Sequence, residues 1–184
     1  GGSTNDTVTL GAQATGITLD LDAGNDTLIL GAFINTVTVS NVETITGGST
    51  NDTVTLGAQA TGITVDLAAG LDKLILGDFV NTVTVSNVET VIGGATDDAL
   101  IFGGAVTGAT VDLGDGDDTL TFDAAGATVT VSNVETVTGS AADDVVTLGG
   151  QATGTVVDLD DGDDTLLLGA NVNTVTVSNV ETIT

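Results

Sequence analysis

Gly1-Gly2-Ser3-Thr4-Asn5-Asp6-Thr7-Val8-Thr9-Leu10-Gly11-Ala12-Gln13-Ala14-Thr15-Gly16 returns residue for residue at 47–62, and the hexapeptide VSNVET begins at Val39, Val85, Val131 and Val177. The spacing is 46 residues each time, so the 184 residues hold four whole repeats, 1–46, 47–92, 93–138 and 139–184. A fixed period of this kind marks a chain built from one stacking unit, each copy burying its apolar face on the next.

Each repeat divides again. Asn5-Asp6-Thr7 reappears as Asn25-Asp26-Thr27, an offset of 20, which leaves 26 residues before Asn51-Asp52. Aligned on that Asp, every repeat reads as two coils, eight in all. The residues two, four and thirteen places after the Asp are then apolar in all coils, as in Val8, Leu28, Val54 and Leu74, or Leu10, Leu30, Leu56 and Leu76. Eleven places on, only Thr155 breaks the column. Apolar positions alternate with Thr, as in Thr36-Val37-Thr38-Val39, the period-two pattern of a half-buried strand, and Gly, Asn and Asp punctuate the turns. The spacing predicts an all-β fold, a parallel β-solenoid of two coils per repeat with Phe102 stacked on Phe122. At about 4.8 Å per coil the rod would be roughly 38 Å long. The six extra residues of the longer coil, around Val42 to Thr46, leave room for a third short strand.

Composition removes much chemistry. The chain has no His and no Cys, and its one basic residue is Lys73, so zinc and haem sites, thiol nucleophiles and Ser-His-Asp triads lack their residues. A net charge of −25 excludes nucleic acid, whose phosphates need Lys and Arg. No run of about 18 apolar residues offers a membrane-spanning helix. A hydrophobic fraction of 41 % nevertheless supplies a core, unlike a disordered acidic chain. Without Met, or atypical sequence at either end, the array is expected to continue in a longer parent protein or to stack end to end with other copies.

The turns carry a resemblance. Gly1-Gly2-Ser3-Thr4-Asn5-Asp6-Thr7-Val8-Thr9 and Leu113-Gly114-Asp115-Gly116-Asp117-Asp118-Thr119-Leu120-Thr121 each match most of the nonapeptide G-G-x-G-x-D-x-U-x, with U a large apolar residue. The chain resembles the RTX, or haemolysin-type, calcium-binding repeats, in degenerate form, and the Thr/Val/Asn-rich strand repeats of giant bacterial surface proteins. The resemblance implies calcium held by the motif Asp and by loop carbonyls. The ligands would be Asp6, Asp26, Asp52, Asp72, Asp98, Asp118, Asp144 and Asp164, with carbonyls from the loops of Gly24, Gly70, Gly116 and Gly162. It also implies secretion to a bacterial cell surface, as part of an adhesin, surface layer or filament.

Electrostatics points to the same cation. Aspartates stacked about 5 Å apart repel by roughly 0.8 kcal/mol per pair even in bulk water, and more in protein. With Lys73 the only internal counter-charge, a hard cation from solution is the expected neutraliser. The alternative reading makes these residues turn-formers facing solvent. The extra acids Asp115, Asp117, Asp161 and Asp163 direct the expected ions to the C-terminal half. Fourteen places after the motif Asp the coils alternate acid and hydroxyl: Asp20, Ser40, Asp66, Ser86, Asp112, Ser132, Asp158 and Ser178. This column reads as a structural ladder in which hydroxyls separate the charges, Asp66 lying between Ser40 and Ser86. Asn41 and Glu43, identical in all four repeats, are read either as turn-former and edge charge or as part of an ion site.

The expected function is structural and non-catalytic: the acids are duplicated evenly rather than singled out in one cleft, and aromatic platforms for sugar rings are scarce. A binding role is the alternative, for ice or glycan, on exposed columns such as Thr18, Thr38, Thr64, Thr84, Thr110 and Thr130.

Overall fold

The computed structural model describes residues 1–123 and 125–184. Among the described residues all regular structure is β-strand, in two parallel sheets of ten strands. The first repeat supplies β1 (Thr7–Thr9), β2 (Thr15–Asp20), β3 (Thr27–Ile29), β4 (Thr36–Ser40) and β5 (Thr44–Gly48). The second supplies β6 (Thr53–Leu56), β7 (Thr61–Ala68), β8 (Lys73–Ile75), β9 (Thr82–Ser86) and β10 (Thr90–Gly94). Strands alternate between the sheets, so β1, β3, β5, β7 and β9 are consecutive neighbours in one, and β2, β4, β6, β8 and β10 in the other. The chain is a β-solenoid. Each sheet climbs nine ladder steps, about 43 Å at the usual strand spacing.

Five strands per repeat correct the expectation of two coils. The 26-residue remainder is not one long coil: Thr44–Gly48 makes the fifth strand, led in by Val42 and Glu43, with Val42 and Ile45 buried. A turn of the solenoid uses two strands, so a repeat makes two and a half turns. Register confirms it: Thr7 pairs with Thr27, Leu28 with Ile45 and Ile45 with Val65. Leu28 is therefore not in column with Val54, which pairs with Val37 and Leu74 on the other sheet. Equivalent residues of successive repeats lie on opposite sheets.

Between the sheets the apolar half of each strand forms one continuous core. Leu28, Leu74, Leu100, Leu120 and Leu166 are fully buried, and Phe102 pairs with Phe122 in register, ring centroids 6.2 Å apart. Leu21, Leu67, Leu113 and Leu159 extend the core beyond the expected columns. The leading motif glycine is a packing requirement there, since a Cβ at Gly47 would lie 2.2 Å from the Leu67 carbonyl oxygen on the next rung. The corners after β4 and β9 are closed by Asn41 and Asn87 in the left-handed region, φ 55° and 52°, which Asn tolerates better than most residues.

Candidate functional site

Each turn from one sheet to the other places one side chain at the start of the next strand, pointing inward along the edge of the solenoid. On one edge these residues are, rung by rung, Ala14, Asn35, Asp52, Asp72 and Glu89. They are linked through side chain and backbone. The Ala14 N–H donates to Asn35 Oδ1 at 3.0 Å, Asn35 N–H to Asp52 Oδ1 at 2.9 Å, Asp52 N–H to Asp72 Oδ1 at 2.6 Å and Asp72 N–H to Glu89 Oε2 at 2.7 Å. The opposite edge repeats the staircase one 46-residue period on, through Ala60, Asn81, Asp98, Asp118 and Glu135. Partial flights run Asp6, Asp26, Glu43 and Ala127, Asp144, Asp164, Glu181.

These bonds satisfy the amide that each corner leaves out of the β-ladder, which is why an acceptor is needed there. The charge is handled less completely. Asp26, Asp52, Asp72, Asp98, Asp118 and Asp164 are at most 2 % exposed, and each keeps a buried Oδ2 with no hydrogen-bond partner. Asp6 and Asp144 are exceptions, because the N–H groups of Gly2 and Ser140, four residues earlier, reach their Oδ2 at 3.1 and 2.9 Å. Burial, reinforced by the neighbouring carboxylates, pushes Asp72 and Asp118 up to about 6 and drives Asp98 and Asp164 upward as well. A proton or a cation would relieve such an oxygen.

The eight motif aspartates thus do not make one ladder. They form four stacked pairs on alternating edges, Asp6–Asp26, Asp52–Asp72, Asp98–Asp118 and Asp144–Asp164, because the half-turn in each repeat carries the next pair to the other side. Gly24, Gly70, Gly116 and Gly162 lie beside them for a steric reason: a Cβ there would fall 2.7 to 2.9 Å from Oδ1 of the Asp two residues on. Asp115, Asp117, Asp161 and Asp163 are exposed on the turns. The Asp117 and Asp163 amides donate to Asp97 and Asp143 one rung away, at 2.9 and 3.0 Å. Among the described residues no three acids converge as a metal-ligand group, although the orphaned Oδ2 atoms make an oxygen-only donor set of the type a hard cation takes.

The alternating column is also rearranged. Asp20–Ser40, Asp66–Ser86, Asp112–Ser132 and Asp158–Ser178 are ladder neighbours, but the column stops there, since Asp66 lies between Thr46 and Ser86, not between Ser40 and Ser86. Its donors are amides rather than hydroxyls: Asn87 Nδ2 reaches Asp66 Oδ1 at 2.7 Å, and Asn41, Asn133 and Asn179 do the same for Asp20, Asp112 and Asp158. The Asn41 bond, with the Asp22 amide, holds the Asp20 carboxyl below its usual range. The threonine column splits likewise. Thr18 and Thr38 share one sheet, Thr64 and Thr84 the other, and Lys73 interrupts the row Thr36, Thr53, Thr90, Thr110, Thr130.

Asn35 and Asn81 are the staircase residues absent from the sequence reading, and Glu43, held there as an edge charge or part of an ion site, proves to be a rung of the same staircase. The signal was present: Asp26-Thr27-Leu28, Asn35-Thr36-Val37 and Glu43-Thr44-Ile45 are three copies of one strand-opening pattern, polar acceptor, Thr, apolar. No family model matches the sequence, and no curated protein or solved structure matches it.

Proposed function

We propose that the chain is a structural, calcium-stabilised segment of a secreted bacterial surface protein, a stiff non-catalytic spacer or lattice element of the adhesin, surface-layer or filament kind. The observation that carries this reading is continuity: both sheets and the core run through all four repeats, and the carboxylate staircase is copied on both edges. An array of this kind transmits load along its axis through hydrogen bonds in register, and joins other copies by extending the same ladders. Calcium enters through the orphaned Asp oxygens and the exposed rims Asp97, Asp115, Asp117 and Asp143, Asp161, Asp163. Their net charge is uncompensated by any nearby base.

Melting followed by circular dichroism, with excess chelator and then with millimolar calcium at low ionic strength, tests the ion. Calcium should raise the melting temperature, and an unchanged melt would remove it from the proposal. Small-angle scattering tests the spacer: a rigid rod is expected, and a flexible or globular profile would overturn it.

A further inference from the structure

At the foot of three of the four carboxylate flights, at Glu43, Glu89 and Glu135, the chain opens the same pocket. Behind Glu89 it is a cavity of about 220 Å³ bounded by Ser86, Asn87, Glu89 and Thr107, with Val88, Phe102 and Val106 as its apolar floor. The equivalents at Glu135 and Glu43 hold about 170 and 70 Å³, narrowed by Gln151 and Gln59, where the first pocket has only Ala105. The staircase ends here because the next rung is Ala60, Val106 or Ala152, with no side-chain donor or acceptor.

Two acceptors remain unspent in the pocket beside the Ser86 and Thr107 hydroxyls. Glu89 uses Oε2 on the Asp72 amide, and Asn87 uses Nδ2 on Asp66, which leaves Glu89 Oε1 and Asn87 Oδ1 without a protein donor among the described residues. Glu43 and Glu135, with Asn41 and Asn133, are placed alike. Behind Glu89 and Glu135 stand two buried aspartates each, and behind Glu43 the buried Asp26 and the half-buried Asp6, so the potential of the flight is directed at the pocket. At the Glu43 pocket apolar side chains stand on the next rung up: Phe79 and Val80 follow the turn at Gln59, and they are 38 % and 51 % exposed. A ligand matching the free carboxylate and amide oxygens has several donors and a positive charge.

We propose that the pockets at Glu43, Glu89 and Glu135 each bind a primary alkylammonium group, its head in the Glu–Asn–Ser pocket. One carboxylate with neutral oxygens suits a singly charged ammonium better than a divalent ion, which gathers several carboxylates. The donor must come from another molecule, since a copy of this chain offers only Lys73, on an outer sheet face. Glu43 and Glu135 share an edge, five rungs or about 24 Å apart, and Glu89 is on the other. Two lysines seven residues apart on an extended strand would reach both pockets of one edge. The proposal stands independently of calcium.

The test is amide chemical-shift titration of the whole chain in 150 mM salt with chelator present, using spermidine and a Gly/Ser peptide carrying two lysines seven residues apart. Saturable shifts at Ser86 to Glu89 and Thr107, and at their equivalents, are expected. They should weaken about tenfold in E43Q/E89Q/E135Q and less than twofold in D115N/D123N/D161N, which loses equal charge elsewhere. Gln keeps the acceptor for the staircase amide, and the wild-type shift map holds independently of the variants' folding. Tighter binding of the peptide than of spermidine identifies a protein source for the ammonium, and the reverse a free polyamine. Equal losses in the two variants, no saturable shift, or displacement of the probe by calcium at the same amides would overturn the proposal.

Discussion

The carboxylate of Asp72 accepts the backbone N–H of Asp52, one rung away, at 2.6 Å, and both residues are 1 % exposed. The bond makes the side chain a component of the main-chain ladder, while the second oxygen of each carboxylate is left dry. Geometry and charge therefore pull in opposite directions at the same residue, and they separate by substitution. Asp72→Ala strands the Asp52 amide, at a cost of about 1 to 3 kcal/mol. Asp72→Asn keeps an oxygen for that amide and removes the buried charge. Chemical denaturation at pH 7.5 should place Asp72→Ala below the parent and Asp72→Asn at or above it; equal losses would mean that the charge itself holds the fold.

The same burial fixes a pH dependence. In the unfolded chain these carboxyls titrate near 3.8, whereas Asp72 and Asp118 titrate near 6 in the folded solenoid, with Asp98 and Asp164 also raised. Between those values the folded state binds more protons than the unfolded one. Stability is thus fully present below the unfolded value and is lost as pH rises through about 6. Falling net charge on acidification works in the same direction. In chelator, the melting temperature should climb from pH 7.5 to pH 5, opposite to the usual behaviour of a protein stabilised by ionised carboxylates, and a fall over that range would contradict the staircase electrostatics.

Mid-stack packing offers a test free of charge. Leu120 is fully buried and pairs in register with Leu100 and Val137. Leu120→Ala leaves a cavity between two rungs that cannot close without breaking register, so a loss of about 2 to 5 kcal/mol is expected from equilibrium denaturation.

The solenoid, its parallel sheets and the Phe102–Phe122 contact were legible in the sequence, because alternation of Thr with Val or Leu is a local signal and the repeat is nearly identical from copy to copy. The number of turns was not. Aligning on Asp6 and Asp26 took two turns as the unit, since Asp is the residue that recurs visibly. The fifth strand opens instead with Glu43, and the fourth with Asn35, so a chemical difference concealed a positional identity. Asp, Asn and Glu are interchangeable here because the rung requires only an oxygen that accepts one amide. Asp6 to Asp26 and Asp26 to Glu43 are each one full turn, of 20 and 17 residues, and the stretch left from Glu43 to Asp52 is the missing half-turn. What identity alone could not show is that a half-integral repeat sends each successive site to the opposite edge.

That half-turn is open to direct measurement. Thr44 and Thr64 are exposed register partners on one sheet, whereas Thr38, which the two-coil alignment places beside Thr64, pairs with Thr18 and Thr55 on the other. The two faces are separated by the core, about 10 Å from backbone to backbone before side chains are added. In a chain without native cysteine, T44C/T64C should therefore be joined rapidly by a short bis-maleimide, at a rate independent of protein concentration. T38C/T64C should react at each thiol singly and form no intramolecular bridge, because the reagent would have to pass around an edge of the solenoid. Mass spectrometry distinguishes one bridging reagent per chain from two hydrolysed adducts. Bridging of the second pair, with none of the first, would restore the integral repeat and place all the motif aspartates back on one edge.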